Sequence, residues 1–136
     1  MNFKKIAVCA LAATAVALAA PAAAQAAPVE HWELCDKSCA NRAEGKITWH
    51  NRTATLSGDV YDVGPNWTQI KATAYAGNTQ VGKVETRTAD DLKPGGSPLP
   101  FSFTVGDTNR PGGIDLVIVE LCFRSGCVDE TALLRP

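Results

Sequence analysis

Histidine, methionine and aromatic side chains are scarce in this chain of 136 residues, which has two histidines, one methionine and 7% aromatics. With only His31 and His50 available, a histidine-based catalytic pair has few places to form, and no G-x-S-x-G occurs to set a serine nucleophile in a strained turn. A block of one charge sign is also missing. Beyond residue 26 the 11 Lys and Arg stand singly against 14 Asp and Glu, so the chain lacks the basic stripe of a nucleic-acid binder. Beyond residue 26 no stretch carries the three-to-four spacing of an amphipathic helix, which argues against a helical domain. No apolar run reaches the ~20 residues needed to span a bilayer.

What is present begins with an export pattern. Lys4 and Lys5 precede an apolar run from Ile6 to Ala20, and Ala24-Gln25-Ala26 supplies a small-x-small cleavage site. Residues 1–26 read as a signal peptide with cleavage before Ala27; Ala22-Ala23-Ala24 is a second acceptable site. Cys9 lies inside the apolar run and leaves with it. Loss of Lys4 and Lys5 takes the 13 cationic residues to 11, so the net charge of −1 becomes −3. The expectation is a secreted, monomeric single domain with no membrane contact after signal removal and no nucleic-acid partner.

Export leaves Cys35, Cys39, Cys122 and Cys127 in an oxidising space, where four thiols become two disulfides by one of three pairings. Spacing favours the local pairing, Cys35 to Cys39 and Cys122 to Cys127, because Cys122-Phe-Arg-Ser-Gly-Cys127 reads as a hairpin with cysteines facing across it. Such short loops remove little chain entropy, about 2 kcal/mol each. The x3 and x4 spacings are looser than zinc knuckles, so neither a metal nor another cofactor is expected.

Along the mature chain the hydrophobic period is two. Ile47 and Trp49 fall on one face of a strand near 46–50; Ala54, Leu56, Gly58 and Val60 share a face of the next, with Gly58 marking a bulge or a close approach of another strand. After the Gly64-Pro65 turn, Ile70, Ala72, Ala74 and Ala76 form an inward row, with Trp67, Gln69, Lys71, Thr73 and Tyr75 outward. Gly77-Asn78 turns into a weakly alternating strand, read as an edge with Lys83, Glu85 and Arg87 facing solvent. A Pro/Gly loop over 89–98 leads to Leu99, Phe101, Phe103 and Val105 on one face. Ile114 to Phe123 is apolar on both faces between Leu116 and Val119, the mark of a central strand buried on both sides, with 128–134 as its hairpin partner. About seven short strands predict an all-β, immunoglobulin-like two-sheet sandwich. The expected organisation is signal peptide 1–26, an N-terminal arm 27–45 holding Cys35 and Cys39, and a β-sandwich over 46–136.

The stretch Thr53-Ala-Thr-Leu-Ser-Gly-Asp-Val-Tyr-Asp62 after Ile47-Thr-Trp49, with Asp115-Leu-Val-Ile-Val-Glu-Leu-Cys122, resembles small secreted actinobacterial β-sandwich proteins of uncharacterised function. The resemblance implies a fold and a compartment and lends no activity. The C-x4-C spacing and Tyr61-Asp62-Val63-Gly64 are similar to secreted apoproteins that carry enediyne chromophores. The other disulfide of that group has a longer spacing than Cys35 and Cys39, which sets chromophore binding aside.

Candidate binding residues are aromatics and one loop. Trp32, Trp67 and Tyr75 read as rigid side chains for stacking on a sugar or anchoring a partner, and Phe123 with Arg124 sits in the Cys122–Cys127 loop. No catalytic residue is assigned. The functional reading is a non-enzymatic extracellular or envelope-associated binding module for a polysaccharide or protein ligand. The alternative is an inhibitor or effector presenting the 122–127 loop.

Overall fold

The computed structural model describes residues 26–90 and 98–136. The expected signal peptide, apart from its last position, and most of the loop expected over 89–98 lie outside these. Eight strands follow in order: β1 Val29–Cys35, β2 Arg42–Trp49, β3 Thr53–Tyr61, β4 Thr68–Ala76, β5 Thr79–Ala89, β6 Leu99–Gly106, β7 Leu116–Phe123 and β8 Gly126–Leu134. They form two antiparallel four-stranded sheets, β1-β2-β3-β6 and β5-β4-β7-β8, packed as a sandwich. No helix occurs among the described residues, and so none there is long and apolar enough to cross a membrane.

The strand count exceeds the expected seven by β1. The segment expected as an arm over 27–45 is β1 together with the first half of β2, which starts at Arg42 and not at Lys46. Trp32 and Leu34 point inward at period two, and β1 pairs with β2 along its full length, from Val29 opposite Thr48 to Cys35 opposite Arg42.

The core is the inner faces of both sheets. Ile47, Leu56, Val60 and Val105 from the first sheet meet Ile70, Val117, Val119, Leu121 and Leu133 from the second, all essentially inaccessible to water. β3 passes to β4 in the opposite sheet, β6 returns beside β3, and β7 lies beside β4, so the pairs β3–β6 and β4–β7 interlock. The Gly77-Asn78 turn forms as expected; Gly77 takes φ +57°, and its N–H donates to the Asp115 carboxylate at 2.9 Å. β5 is an edge strand, with Lys83 and Glu85 paired at 3.0 Å.

β7 departs from expectation. It is central, but only Val117, Val119 and Leu121 are fully buried, while Leu116, Ile118 and Glu120 on the other face are half-buried. The first sheet covers one side of β7, and no described element covers the other.

Both predicted disulfides form locally, Cys35–Cys39 and Cys122–Cys127. They sit at one end of the sandwich, where the Cys35 N–H donates to Asp129 Oδ2 at 3.1 Å and joins the two sheets' edges. Beneath them a polar layer closes the core. Asn41 donates to Asp36 Oδ2 at 3.0 Å and accepts from the Val63 N–H at 2.9 Å; buried Asp62 accepts from Thr68 Oγ1 at 3.0 Å. At the opposite end Arg135 donates to the carbonyls of Ile114 at 2.7 Å and His50 at 2.6 Å, and its guanidinium lies 4.9 Å from the Trp49 ring centre.

Candidate functional site

One register row of the first sheet has an unusual make-up. Trp32, Gly45, Gly58 and Phe101 lie side by side on β1, β2, β3 and β6, with their side chains or bare α-carbons on the inner face. The two aromatics on the outer strands reach over the two glycines and meet, with ring centres 6.0 Å apart. The glycines allow β2 and β3 to approach closely: a Cβ on Gly45 would stand 2.9 Å from Trp32 Cζ2, and one on Gly58 would stand 2.7 Å from the Gly45 Cα. Along this row the first sheet has bulk on its two outer strands and none on its two inner ones. Its outer face there carries an open trough of about 780 Å³.

Two rows of outward side chains border the trough. His31, Lys46 and Ser57 stand in register on one side, and Glu33, Glu44, Asp59 and Pro100 on the other. Three carboxylates are thus placed on adjacent strands about 4.8 Å apart, where like charges directly opposite one another destabilise a sheet. Only Glu44 is relieved. It accepts from the Tyr61 hydroxyl at 2.9 Å and lies 3.9 Å from Arg42 Nε, while the Arg42 guanidinium stacks 3.9 Å over the Tyr61 ring. The hydrogen bond to Glu44, with lesser help from desolvation and the charges of Glu44 and Asp59, raises the Tyr61 phenol above its ordinary 10.0. The side chains of Glu33, Asp59, Lys46 and His31 have no hydrogen-bond or ion-pair partner among the described residues.

The residues singled out in the sequence are not gathered into one site. Trp32 is 7% exposed and faces the core, so the expectation of an exposed stacking ring is corrected; its place on an alternating strand opposite Gly45 is what buries it. Trp67 is half-buried in the loop before β4, which starts one residue later than expected, at Thr68. Tyr75 is half-buried on the outer face of the second sheet, opposite Leu116. Eight residues along an extended chain separate it from Trp67 by about 26 Å, so the two rings do not form one compact pair. Phe123 packs on the core rim, and Arg124 is exposed at the tip of the β7–β8 hairpin. Phe123 pairs with Gly126, which leaves Arg124-Ser125 as a two-residue turn. Glu120 lies close to the sulfurs of Cys122 and Cys127, but those sulfurs are bonded to each other and not thiolates.

The trough residues escaped sequence reasoning because they converge only through pairing of three strands. The available signal was the glycine on the inward register of each of two neighbouring strands, Gly45 and Gly58.

Fold and site together define a disulfide-stabilised, all-β two-sheet sandwich with a charged trough on one outer face. Compared with protein-family models, curated proteins and solved structures, the chain finds no match.

Proposed function

We propose that the protein is a secreted, non-catalytic binding module that holds an amine-bearing extracellular polysaccharide in the trough of the first sheet. The observation that carries this reading is the row Glu33, Glu44 and Asp59 along an open trough, a repulsive arrangement that a cationic ligand relieves. Lys46, His31 and Ser57 on the facing row offer donors to hydroxyl oxygens, a combination suited to a chain rich in both hydroxyl and amino groups. Two local disulfides suit an oxidising exterior. The interlocked pairs β3–β6 and β4–β7, with β8 beside β7, support the immunoglobulin-like reading of the sandwich.

The alternative, a loop-presenting inhibitor or effector acting through Cys122–Cys127, has less support. A protease binds an extended run of residues, and Arg124-Ser125 is a tight turn.

Titration calorimetry with soluble glucosamine oligomers, their N-acetylated counterparts and a neutral glucan tests the proposal. Expected is binding to the amine form that weakens with salt and falls about tenfold in Glu33→Gln/Asp59→Asn. Equal binding to the neutral glucan, or no loss in the double variant, overturns it.

A further inference from the structure

The outer face of the second sheet is half apolar and half charged. Its rows run across β4, β7 and β8: Tyr75, Leu116 and Leu134; then Thr73, Ile118 and Ala132; then Lys71, Glu120 and Glu130. Leu134 is 67% exposed, and Leu116 and Ile118 are half-buried with no described element over them. A β-strand apolar on both faces belongs between two covering layers, and here one layer is supplied.

We propose that a second copy of this chain supplies the other layer, packing face to face about a two-fold axis that runs along β7. Such an axis exchanges the β4 column of one chain with the β8 column of its mate and keeps each row opposite itself. Leu116 and Ile118 then pack on their own symmetry mates, and Tyr75 covers Leu134 of the other copy, twice. In the charged row Lys71 meets Glu130 of the other copy, also twice. Glu120 faces its mate near the axis, and each is already held by its own Lys71 at 2.6 Å. An axis across the strands would instead lay the apolar rows on the charged row, burying Leu116 against Glu120. Between these two orientations the charge pattern therefore favours the axis along β7.

The three-strand footprint of roughly 14 by 20 Å is smaller than a standard specific interface, so self-association is weak and concentration-dependent. In the dimer the two troughs of the first sheets point away from each other, and one assembly can engage two chains of ligand. The self-association itself does not depend on what the trough binds.

Sedimentation equilibrium of the mature chain over a wide concentration range tests the proposal. The mass should rise from monomer towards dimer and go no further. Ile118→Lys should stay monomeric throughout with an unchanged circular dichroism spectrum, since in the monomer this side chain lies on the surface. Glu130→Lys should weaken the dimer about tenfold. Adding Lys71→Glu should restore it, because the double exchange reverses the order of charges in the row without changing its composition. A chain monomeric at every concentration, a dimer that survives Ile118→Lys, open-ended oligomers, or a double exchange weaker than Glu130→Lys alone would each overturn the proposal. Loss of trough binding in Glu33→Gln/Asp59→Asn with dimerisation intact would leave it standing.

Discussion

Replacing Gly58 by Ala tests how the trough is built. The added methyl would stand 2.7 Å from the Gly45 Cα, whereas non-bonded carbons settle at roughly 3.5–4.0 Å. It would also press on the Glu44 carbonyl oxygen, a backbone atom that cannot swing aside as a side chain does. Relief requires β2 and β3 to separate by about 1 Å at the middle of their ladder. Overpacking of this kind costs about 1–3 kcal/mol, and one weakened ladder hydrogen bond adds about 1 kcal/mol. A loss of about 3 kcal/mol is expected, a large share of the roughly 5–15 kcal/mol that holds a small domain. Urea unfolding followed by tryptophan fluorescence measures it, since Trp32 and Trp49 are both buried in the native core. Gly64→Ala is the control: its methyl would find nothing nearer than Asn41 Nδ2 at 3.5 Å, an ordinary contact, and the change should stay within about 0.5 kcal/mol. If Gly58→Ala costs no more than Gly64→Ala, the close approach of β2 and β3 is refuted, and the account of the trough floor falls with it.

Arg135→Ala removes two hydrogen bonds to backbone carbonyls and the cation over Trp49, and should lower stability by about 1–3 kcal/mol in thermal unfolding. Arg135→Lys should recover only part of this, because one ammonium cannot serve both carbonyls and the ring. Raising pH should remove a stabilising contribution at Tyr61: its folded pKa lies above the ordinary 10.0, so the contribution is complete below that value and is lost as pH climbs through the folded pKa. Tyr61→Phe should abolish that alkaline phase in a stability–pH series. Asp36 has the opposite sign. Desolvation works against it, but hydrogen bonds from Ser38 and Asn41 hold its pKa below 3.8, so its contribution is present above that value and fades in acid; Asp36→Asn should flatten the acid limb. Opening Cys122–Cys127 by a double Ser replacement should cost about 2 kcal/mol by differential scanning calorimetry, the entropy of a short loop, with the sandwich retained.

Strands and local pairings were legible in the sequence because their signals are local. Leu99, Phe101, Phe103 and Val105 alternate cleanly, and the structure buries the last three on one face of β6. The Gly77-Asn78 turn, the β5 edge and both disulfides also depend on neighbours a few residues apart. β1 does not stand out in the sequence because Trp32 stands between His31 and Glu33 near the cysteines, and its partner β2 starts four residues before the obvious alternation at Lys46. The site was hidden for a stronger reason. Glu33, Glu44 and Asp59 are spread over 27 positions, and each alone is an ordinary solvent-facing residue of a strand. Only the register that sets Gly45 opposite Gly58 lines them up.

The two outer faces of the sandwich violate the local rule for a solvated sheet in opposite ways, and the same sequence holds both clues. On the first sheet like charges are set side by side where stability would alternate them with neutral or opposite partners. On the second, Leu116, Ile118 and Leu134 are presented where stability in isolation would place polar groups. Neither feature helps the monomer, whereas the inner faces, which carry the fold, are packed almost entirely with apolar side chains. Sequences that fold reliably keep local and global preferences consistent except where something else is asked of them. A cationic ligand would relieve the electrostatic conflict, and a second apolar surface would relieve the apolar one. A single face could not serve both, because the carboxylates that attract an amine would be desolvated under an apolar partner. Segregating them on opposite sheets would let ligand binding and self-association proceed without competing for surface.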